Sequence, residues 1–408
     1  MAVVVLFTES YPFGGYTEPN FVGPEIAALA AEFDRVIIAP VLVRGPMAGG
    51  LPANVTVDTS LTRRPGAVDK AAALARPSLY RHLACDYAYI HTVAQLRSAV
   101  AFSSYTVHYR TKIRRLISKY GLDLRTTLFY TFWFEYQAAA LAGISGARFI
   151  TRAHGHDIYD SESPFLSHSW REHTLSRALA CYPASDSGTA YIRADYPAHA
   201  GKVATRHLGS VAPDGVNPPA LPDDSDVTLL SVARVEPEKG VLRQLGCVKH
   251  WARLYPQRRV RWIHVGDGSE MESLRRQAAE DVPANLDVEL CGALPNSGVR
   301  AILGGRHVDF VVMMSRSEGG RPIALCEALS YGVPVIASGV GGVPEIIDAE
   351  VGALLSPAPV PEEFVSAADA AMPRRQAMRA AALERWRRDL DAEPLRRAFA
   401  REIRGLVP

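Results

Sequence analysis

The stretch from Val308 to Asp348, VDFVVMMSRSEGGRPIALCEALSYGVPVIASGVGGVPEIID, constrains the fold more than any other part of the chain. Val308 to Met314 is a continuous apolar run of strand length, as expected for a strand buried on both faces. Ser315 to Arg321 is small and polar with a Gly-Gly pair, hence a loop. Pro322 suits the first turn of a helix, where its missing N–H is no loss. Ile323, Leu325, Cys326 and Leu329 give that helix an apolar side, and Gly332 ends it. Val333 to Ala337 reads as a second short buried strand. Gly339, Gly341 and Gly342 make the next loop, and Pro344 opens another helix at PEIID. Two successive strand-to-helix turns on one edge of a parallel sheet offer free backbone N–H groups, and such helix N-termini bind phosphates well. Glu318 and Glu327 lie at this edge.

The remaining chain repeats the theme. Short apolar runs alternate with helical patterns, which predicts α/β architecture with parallel sheets. Val3 to Phe7 is a strand followed by a Gly14-Gly15 turn, and Glu25 to Glu32 is a helix. Residues 66 to 121 are helical and locally basic. Arg110, Lys112, Arg114, Arg115 and Lys119 there form either a solvated helix face or an interfacial patch for anionic lipid. Thr126 to Tyr130 and Phe149 to Ala153 are strands, the second running into His154-Gly155-His156-Asp157. Cys181 to Ala184 is a strand whose following helix Ser185 caps, and Lys202 to His207 is expected as the last strand of a first domain. Ser210 to Asp226 is rich in Pro, Asp and Gly and reads as the interdomain linker. Val227 to Ala233 then opens a second domain. Arg234 and Lys239 stand five apart in the loop behind that strand, and Arg261 to Val265 leads into Gly266-Asp267-Gly268. The chain ends in an arginine-rich helical segment from Pro361 to Leu406.

At 408 residues two domains are the natural expectation. A net charge of +2 makes no case for nucleic acid. The five cysteines are scattered without a C-x-x-C pair, which argues against a disulfide or zinc framework and for a reducing compartment. No apolar run reaches the roughly 18 residues of a membrane span, and no basic segment precedes the first apolar run. A cytoplasmic protein is expected, with peripheral contact at the inner face of the membrane if the basic helix meets lipid.

The Val308–Asp348 stretch resembles the C-terminal-domain signature of glycosyltransferase family 4, retaining enzymes with the GT-B fold. The order SEG, proline, EA, G-x-P-V-I-A-S and GG-x-P-E carries the resemblance, which recurs at spaced points over most of the chain. It implies two Rossmann-like domains facing across a cleft. An acceptor-side domain covers 1–212 and is completed by about 390–408, where the terminal helix crosses back; a nucleotide-sugar-binding domain covers 213–389. It also implies roles. His154, in RAHGHDIYD, matches the H-G-x-D segment that touches the donor sugar, with Glu318 on the same sugar. Gly15, Arg234, Lys239, Gly320 and Arg321 would meet the donor diphosphate, Glu327 the ribose, and Gly266 and Leu294 the base side.

The family spaces its two glutamates eight apart; here Glu318 and Glu327 stand nine apart. Which residue fills the first position is therefore open. Counting back from Glu327 gives Gly319, which has no side chain, and the SEG signature gives Glu318. The extra residue is expected as a bulge in Gly319-Gly320, since glycine tolerates backbone angles closed to others.

The resemblance implies hexosyl transfer from a UDP- or GDP-linked sugar to a saccharide, a polyprenyl-linked saccharide or a small natural-product acceptor, as in capsular and exopolysaccharide synthesis. No protein base stands out, which fits same-face attack with the donor phosphate taking the proton. The H-x-H-D run lacks the H-x-H-x-D-H spacing of dinuclear hydrolases and no D-x-D motif follows a strand, so no metal and no cofactor are expected. Alternatives are another GT-B activity, such as a nucleotide-sugar epimerase or a phosphorylase, or a non-catalytic binding protein with a decayed donor site.

Overall fold

The computed structural model describes residues 1–14, 18–159, 168–219 and 226–408. It divides into two compact units, one of residues 1–207 with 393–408 and one of residues 208–392. The sequence reading drew these divisions after 212 and 389.

The first unit holds six parallel strands: β1 (Val3–Thr8), β2 (Arg35–Pro40), β3 (Val55–Val57), β4 (Thr127–Thr131), β5 (Arg148–Ala153) and β6 (Ala180–Pro183), in the order β3-β2-β1-β4-β5-β6. Every residue of β1 and β4 is buried, as continuous apolar runs in a sheet covered on both faces require. The helices are α1 (Glu18–Glu32), α2 (Ala67–Leu74), α3 (Pro77–Cys85), α4 (Val93–Tyr120), α5 (Tyr136–Ala142), α6 (Gly155–Ile158), α7 (His168–Arg177) and α8 (Asp186–Asp195). α1 begins seven residues before the helix expected from Glu25. α4 starts with a reciprocal cap, in which Gln95 N donates to Thr92 Oγ1 at 3.1 Å and Thr92 N donates to Gln95 Oε1 at 3.0 Å. It stops at Gly121, whose φ of +59° is left-handed. Lys202 to His207 is not a strand. It runs beside β6 with one bridge, Val203 to Cys181, and with Ala204 N and Arg206 N donating to the Cys181 and Pro183 carbonyls, while a 3-10 turn over Pro197–Lys202 takes its start.

The C-terminal helix (Ala392–Arg404) packs against this unit. Phe399 lies buried under the Arg152 guanidinium, 4.0 Å from ring centre to Cζ. Arg206 grips Glu402 through Nε at 2.5 Å and Nη2 at 2.8 Å. Arg152 is itself fully buried. It donates to Glu25 Oε2 (3.1 Å), Tyr130 Oη (2.7 Å) and the Arg206 carbonyl (2.7 Å), while Tyr130 donates to Glu25 Oε1 at 2.7 Å. A buried ion pair is tolerable when every polar atom finds a partner, as here.

The second unit repeats the architecture with β7 (Asp226–Val232), β8 (Arg259–Val265), β9 (Leu286–Leu290), β10 (Phe310–Met313), β11 (Val335–Ser338) and β12 (Gly352–Leu355), all parallel, in the order β12-β11-β10-β7-β8-β9. Its helices are α9 (Val241–Leu254), α10 (Met271–Ala279), α11 (Asn296–Gly305), α12 (Ile323–Ser330), α13 (Pro361–Ala371) and α14 (Arg375–Arg385). The PEIID helix is a 3-10 turn of three residues, Val343–Glu345. Pro322 is the N-cap of α12, one position before the first turn. Part of the expected linker belongs to this unit's core. Asn217 is buried, donates to the Leu303 and Arg306 carbonyls, and accepts from Val308 N and Arg379. The five cysteines are free thiols. No described helix is long and apolar enough to cross a membrane.

Asp58 ties the start of α2's connection to the end of α4. Burial would raise its carboxyl, but hydrogen bonds from Lys119, Ser60 and Tyr120 outweigh burial and hold it down at about 2. The folded state thus releases the proton more readily than the unfolded chain, so Asp58 stabilises above about pH 4 and that contribution is lost as pH falls towards 2. Asp58→Asn should therefore unfold at lower denaturant than the wild type at pH 7, with the gap closing below pH 4. A pH-independent gap in urea titrations would refute this.

Candidate active site

At the carboxyl edge of the second sheet the loops meet backbone to backbone. A Cβ on Gly341 (φ +51°) would lie 1.5 Å from the Glu318 carbonyl oxygen, and one on Gly342 would lie 2.5 Å from the Gly320 carbonyl. A Cβ on Gly240 (φ +61°) would lie 2.2 Å from the Met314 carbonyl, and one on Gly266 would lie 1.7 Å from that of Ala233. Only glycine permits such approach. Among the described residues Gly341 is left-handed, whereas Gly319 and Gly320 are not. Neither Gly319 nor Gly320 uses the positive φ that glycine alone adopts easily.

This packing sets the side chains. Glu318 Oε1 receives Lys239 Nζ at 2.7 Å, and both side chains are largely buried (11% and 19% exposed). Arg316 N donates to the Glu238 carbonyl at 2.7 Å and locks the same two loops. Arg234, 63% exposed, pairs with Glu238 at 2.9 Å, an exposed contact worth at most about 1 kcal/mol and easily exchanged. Arg321 pairs with Glu345 at 3.2 Å. Glu327 is buried on α12. Its Oε1 accepts from Asn296 Nδ2 at 2.7 Å, and no described donor reaches Oε2. Burial pushes its carboxyl up, opposed by Asn296 and then Arg300. Gly266 N donates to the Gly292 carbonyl at 2.9 Å. Leu294, exposed, precedes the N-cap of α11. The structure therefore joins Lys239 with Glu318 and sets Glu327 on the helix that follows their loop. Gly15 lies outside the described residues.

His154 sits at the carboxyl edge of the first sheet. Its Nε2 meets the Phe132 carbonyl at 3.1 Å. A carbonyl only accepts, so Nε2 carries the hydrogen and Nδ1 of the neutral ring keeps its lone pair. Burial and then Arg152 depress the ring to about 3, against the Phe132 bond, so it is neutral at physiological pH. His154 packs on Phe132 and Trp133 with ring centres 4.8 and 4.7 Å away.

The sequence reading missed the groups around it. Asp157 is buried and accepts from His154 N and Phe134 N, clasping the β4 and β5 loops together. Glu18 does the same for the β1 loop, accepting from Glu9 N, Ser10 N, Tyr11 N and Trp133 Nε1. Glu135 faces His156 at 3.5 Å. Burial, then Asp157 and Glu9, push the Glu135 carboxyl up to about 8, with Arg171 opposing. Asp157 was visible as the D of H-G-x-D; Asn296 and Glu135 carried no motif. His156 is exposed and faces Glu135, and the cap of α6 comes from Asp157.

Two parallel six-stranded sheets, each flanked by helices, make the fold of the GT-B glycosyltransferases. It superposes on a sucrose-phosphate synthase from Thermosynechococcus elongatus with TM-score 0.70 at 17% identity, covering 100% of this chain and 99% of that one. It also superposes on Anabaena HepE, solved in complex with UDP, with TM-score 0.64 at 16% identity over 99% and 100% of the two chains. Residues 226–372, within the second unit, match the family described as glycosyl transferases group 1. By sequence the chain is 27% identical over 163 residues to the putative colanic acid biosynthesis glycosyltransferase WcaL of Escherichia coli, covering 38% of each. It is 29% identical over 134 residues to the amylovoran biosynthesis glycosyltransferase AmsK of Erwinia amylovora, covering 32% of each. These sequence matches span about a third of the curated relatives' length.

Removing Lys239 strands a buried carboxylate, which costs about 3–5 kcal/mol, more than losing the pair. Lys239→Met alone should therefore destabilise the protein more than Lys239→Met with Glu318→Leu. Equal losses in a denaturant double-mutant cycle would show no coupling. For Glu135 the sign is opposite to that for Asp58. Its folded carboxyl holds the proton longer than the unfolded one, so stability falls as pH rises from 4.5 to about 8. Glu135→Gln should match the wild type in stability near pH 4.5 and exceed it above pH 8, as thermal unfolding across pH will test.

Proposed function

We propose that the protein is a retaining glycosyltransferase that moves a hexosyl group from a nucleotide-diphosphate sugar to a saccharide or lipid-linked saccharide. The carrying observation is the convergence of Lys239 and Glu318 in front of α12, with Glu327 offering an open carboxylate oxygen on the same helix. The group 1 domain over 226–372 and the UDP bound by HepE support a nucleotide donor. The likeness to WcaL supports a saccharide acceptor.

On this assignment Arg234, Lys239, Arg321, Gly320 and the first free N–H groups of α12 neutralise the diphosphate as it leaves. Arg234 exchanges its exposed Glu238 contact for a phosphate oxygen. Glu327 Oε2 accepts a ribose hydroxyl, and the Gly266 turn and Leu294 border the base. Glu318, steadied by Lys239, accepts a sugar hydroxyl, and His154 Nδ1 is a hydroxyl acceptor at the edge of the first unit. The acceptor oxygen attacks the anomeric carbon on the face that the diphosphate leaves, and its proton passes to the departing phosphate oxygen. No metal enters this scheme. The second unit holds the donor and the first the acceptor, and a lipid-linked acceptor would bring the protein to the inner face of the membrane.

The test is turnover with a panel of UDP- and GDP-sugars, followed by variants. Glu327→Ala should raise the donor KM and weaken free nucleoside diphosphate as well. Glu318→Ala should lower kcat with little change in nucleoside diphosphate affinity, because that product lacks the sugar. Lys239→Ala and Arg234→Ala should weaken nucleoside diphosphate about 10- to 100-fold, a charge-assisted contact each, and leave nucleoside binding unchanged. Absence of turnover with every donor, or full turnover in Glu318→Ala, would refute the assignment.

A further inference from the structure

The basic face read from the sequence of α4 is divided by the fold. Arg110 packs its guanidinium against Gly143, and Lys119 is committed to Asp58 at 2.6 Å. Lys112 and Arg115 instead line a cavity of about 460 Å³ with Ser60, Arg63, Asp69 and His108. Asp69 is the cavity's one carboxylate, and it is already engaged by His108 Nδ1 at 2.9 Å and Gly66 N at 2.8 Å. His108 Nε2 donates to the Arg63 carbonyl at 2.6 Å, so both ring nitrogens face acceptors. Lys112 Nζ donates to the Ser60 carbonyl at 2.7 Å. Among the described residues no carboxylate comes within ion-pair distance of the Arg63, Lys112 or Arg115 side chains.

Three cations thus gather in one concavity with no carboxylate paired to them. They sense one another: burial and then Arg63 pull the Lys112 amine below its ordinary range, Asp69 opposes, and Arg115 adds to the fall. Like charges held in a partly desolvated hollow repel, and an anion with several oxygens relieves that repulsion. Two guanidiniums and an ammonium, with the Thr111 hydroxyl on the same wall, suit a phosphate group, since the arginines can each offer a fork to its oxygens.

We propose that this cavity, formed by the 3-10 turn at Thr59–Leu61, α2 and α4, binds a phosphate ester or diphosphate. It is separate from the donor groups of the second unit and does not rest on the transferase assignment. The phosphate belongs either to a soluble ligand or to a lipid headgroup.

The two sources separate experimentally. Inorganic pyrophosphate is titrated calorimetrically into the full chain with saturating UDP present, so that diphosphate groups elsewhere are competed. In parallel, flotation is measured with vesicles of phosphatidylcholine alone and with phosphatidylglycerol added. Arg63→Ala with Arg115→Ala, both exposed positions, should lower binding at least about 10-fold, and Arg115→Lys should retain most of it. Pyrophosphate binding lost in the double variant identifies a soluble phosphate ligand. Flotation only on phosphatidylglycerol vesicles, lost in the same variant, identifies a lipid headgroup. Binding of neither probe by the wild type, or equal binding by the double variant, overturns the proposal.

Discussion

Close backbone approach across neighbouring loops holds the second unit's edge together. In the sheet order β11-β10-β7-β8, Gly341 lies on the β10 loop, Gly240 on the end of β10 and Gly266 on the end of β7. Each contact joins adjacent strands, so the loops form one interlocked row. Glycine makes the row possible by letting carbonyls sit where a Cβ would be. Lys239 and Glu318 are then brought within 2.7 Å by backbone that has little freedom to relax. A side chain at any of these glycines would displace a neighbouring loop, and through it the next.

The carboxylates divide by use. Glu18, Glu25, Asp58 and Asp157 are buried and spend their oxygens on backbone N–H groups or on Tyr, Arg and Lys donors. They act as clasps, and their burial is tolerable because those bonds are made. Glu327 keeps one oxygen without a described donor. Glu318 has a single cation that a competing anion can draw away. Polar groups left open at a rigid edge are the natural places for ligand atoms, whereas the clasps fix where that edge stands.

Much of the fold was legible because buried parallel strands announce themselves as apolar runs. Val3–Thr8, Thr127–Thr131 and Phe310–Met313 all fall within a residue or a few of their expected positions. Lys202 to His207 is not a strand because pairing is a tertiary matter: its composition allowed one, but a 3-10 turn takes its start, and the rest follows β6 through one bridge and the Ala204 and Arg206 amides. The PEIID segment is a single 3-10 turn that directly follows the closely packed Gly341-Gly342 loop. At the site, residues inside a motif were found and residues outside one were not. Asn296 reaches Glu327 from a different helix, thirty-one positions away in sequence. Glu135 and His156 meet only because β4 and β5 are neighbours in the sheet.

The closing of the first unit by residues 393–408 has a consequence for the order in which the molecule is made. Phe399 covers the Arg152 guanidinium, and Glu402 holds Arg206, yet these partners are encoded almost two hundred residues or more after the groups they cover. Residues 208–392 form an uninterrupted compact stretch. During synthesis the second unit therefore has all its parts before the first does, and the half that emerges earliest is the half completed last. Without residues 393–408, the apolar surface that Phe399 covers and the Arg152 guanidinium beneath it would face water.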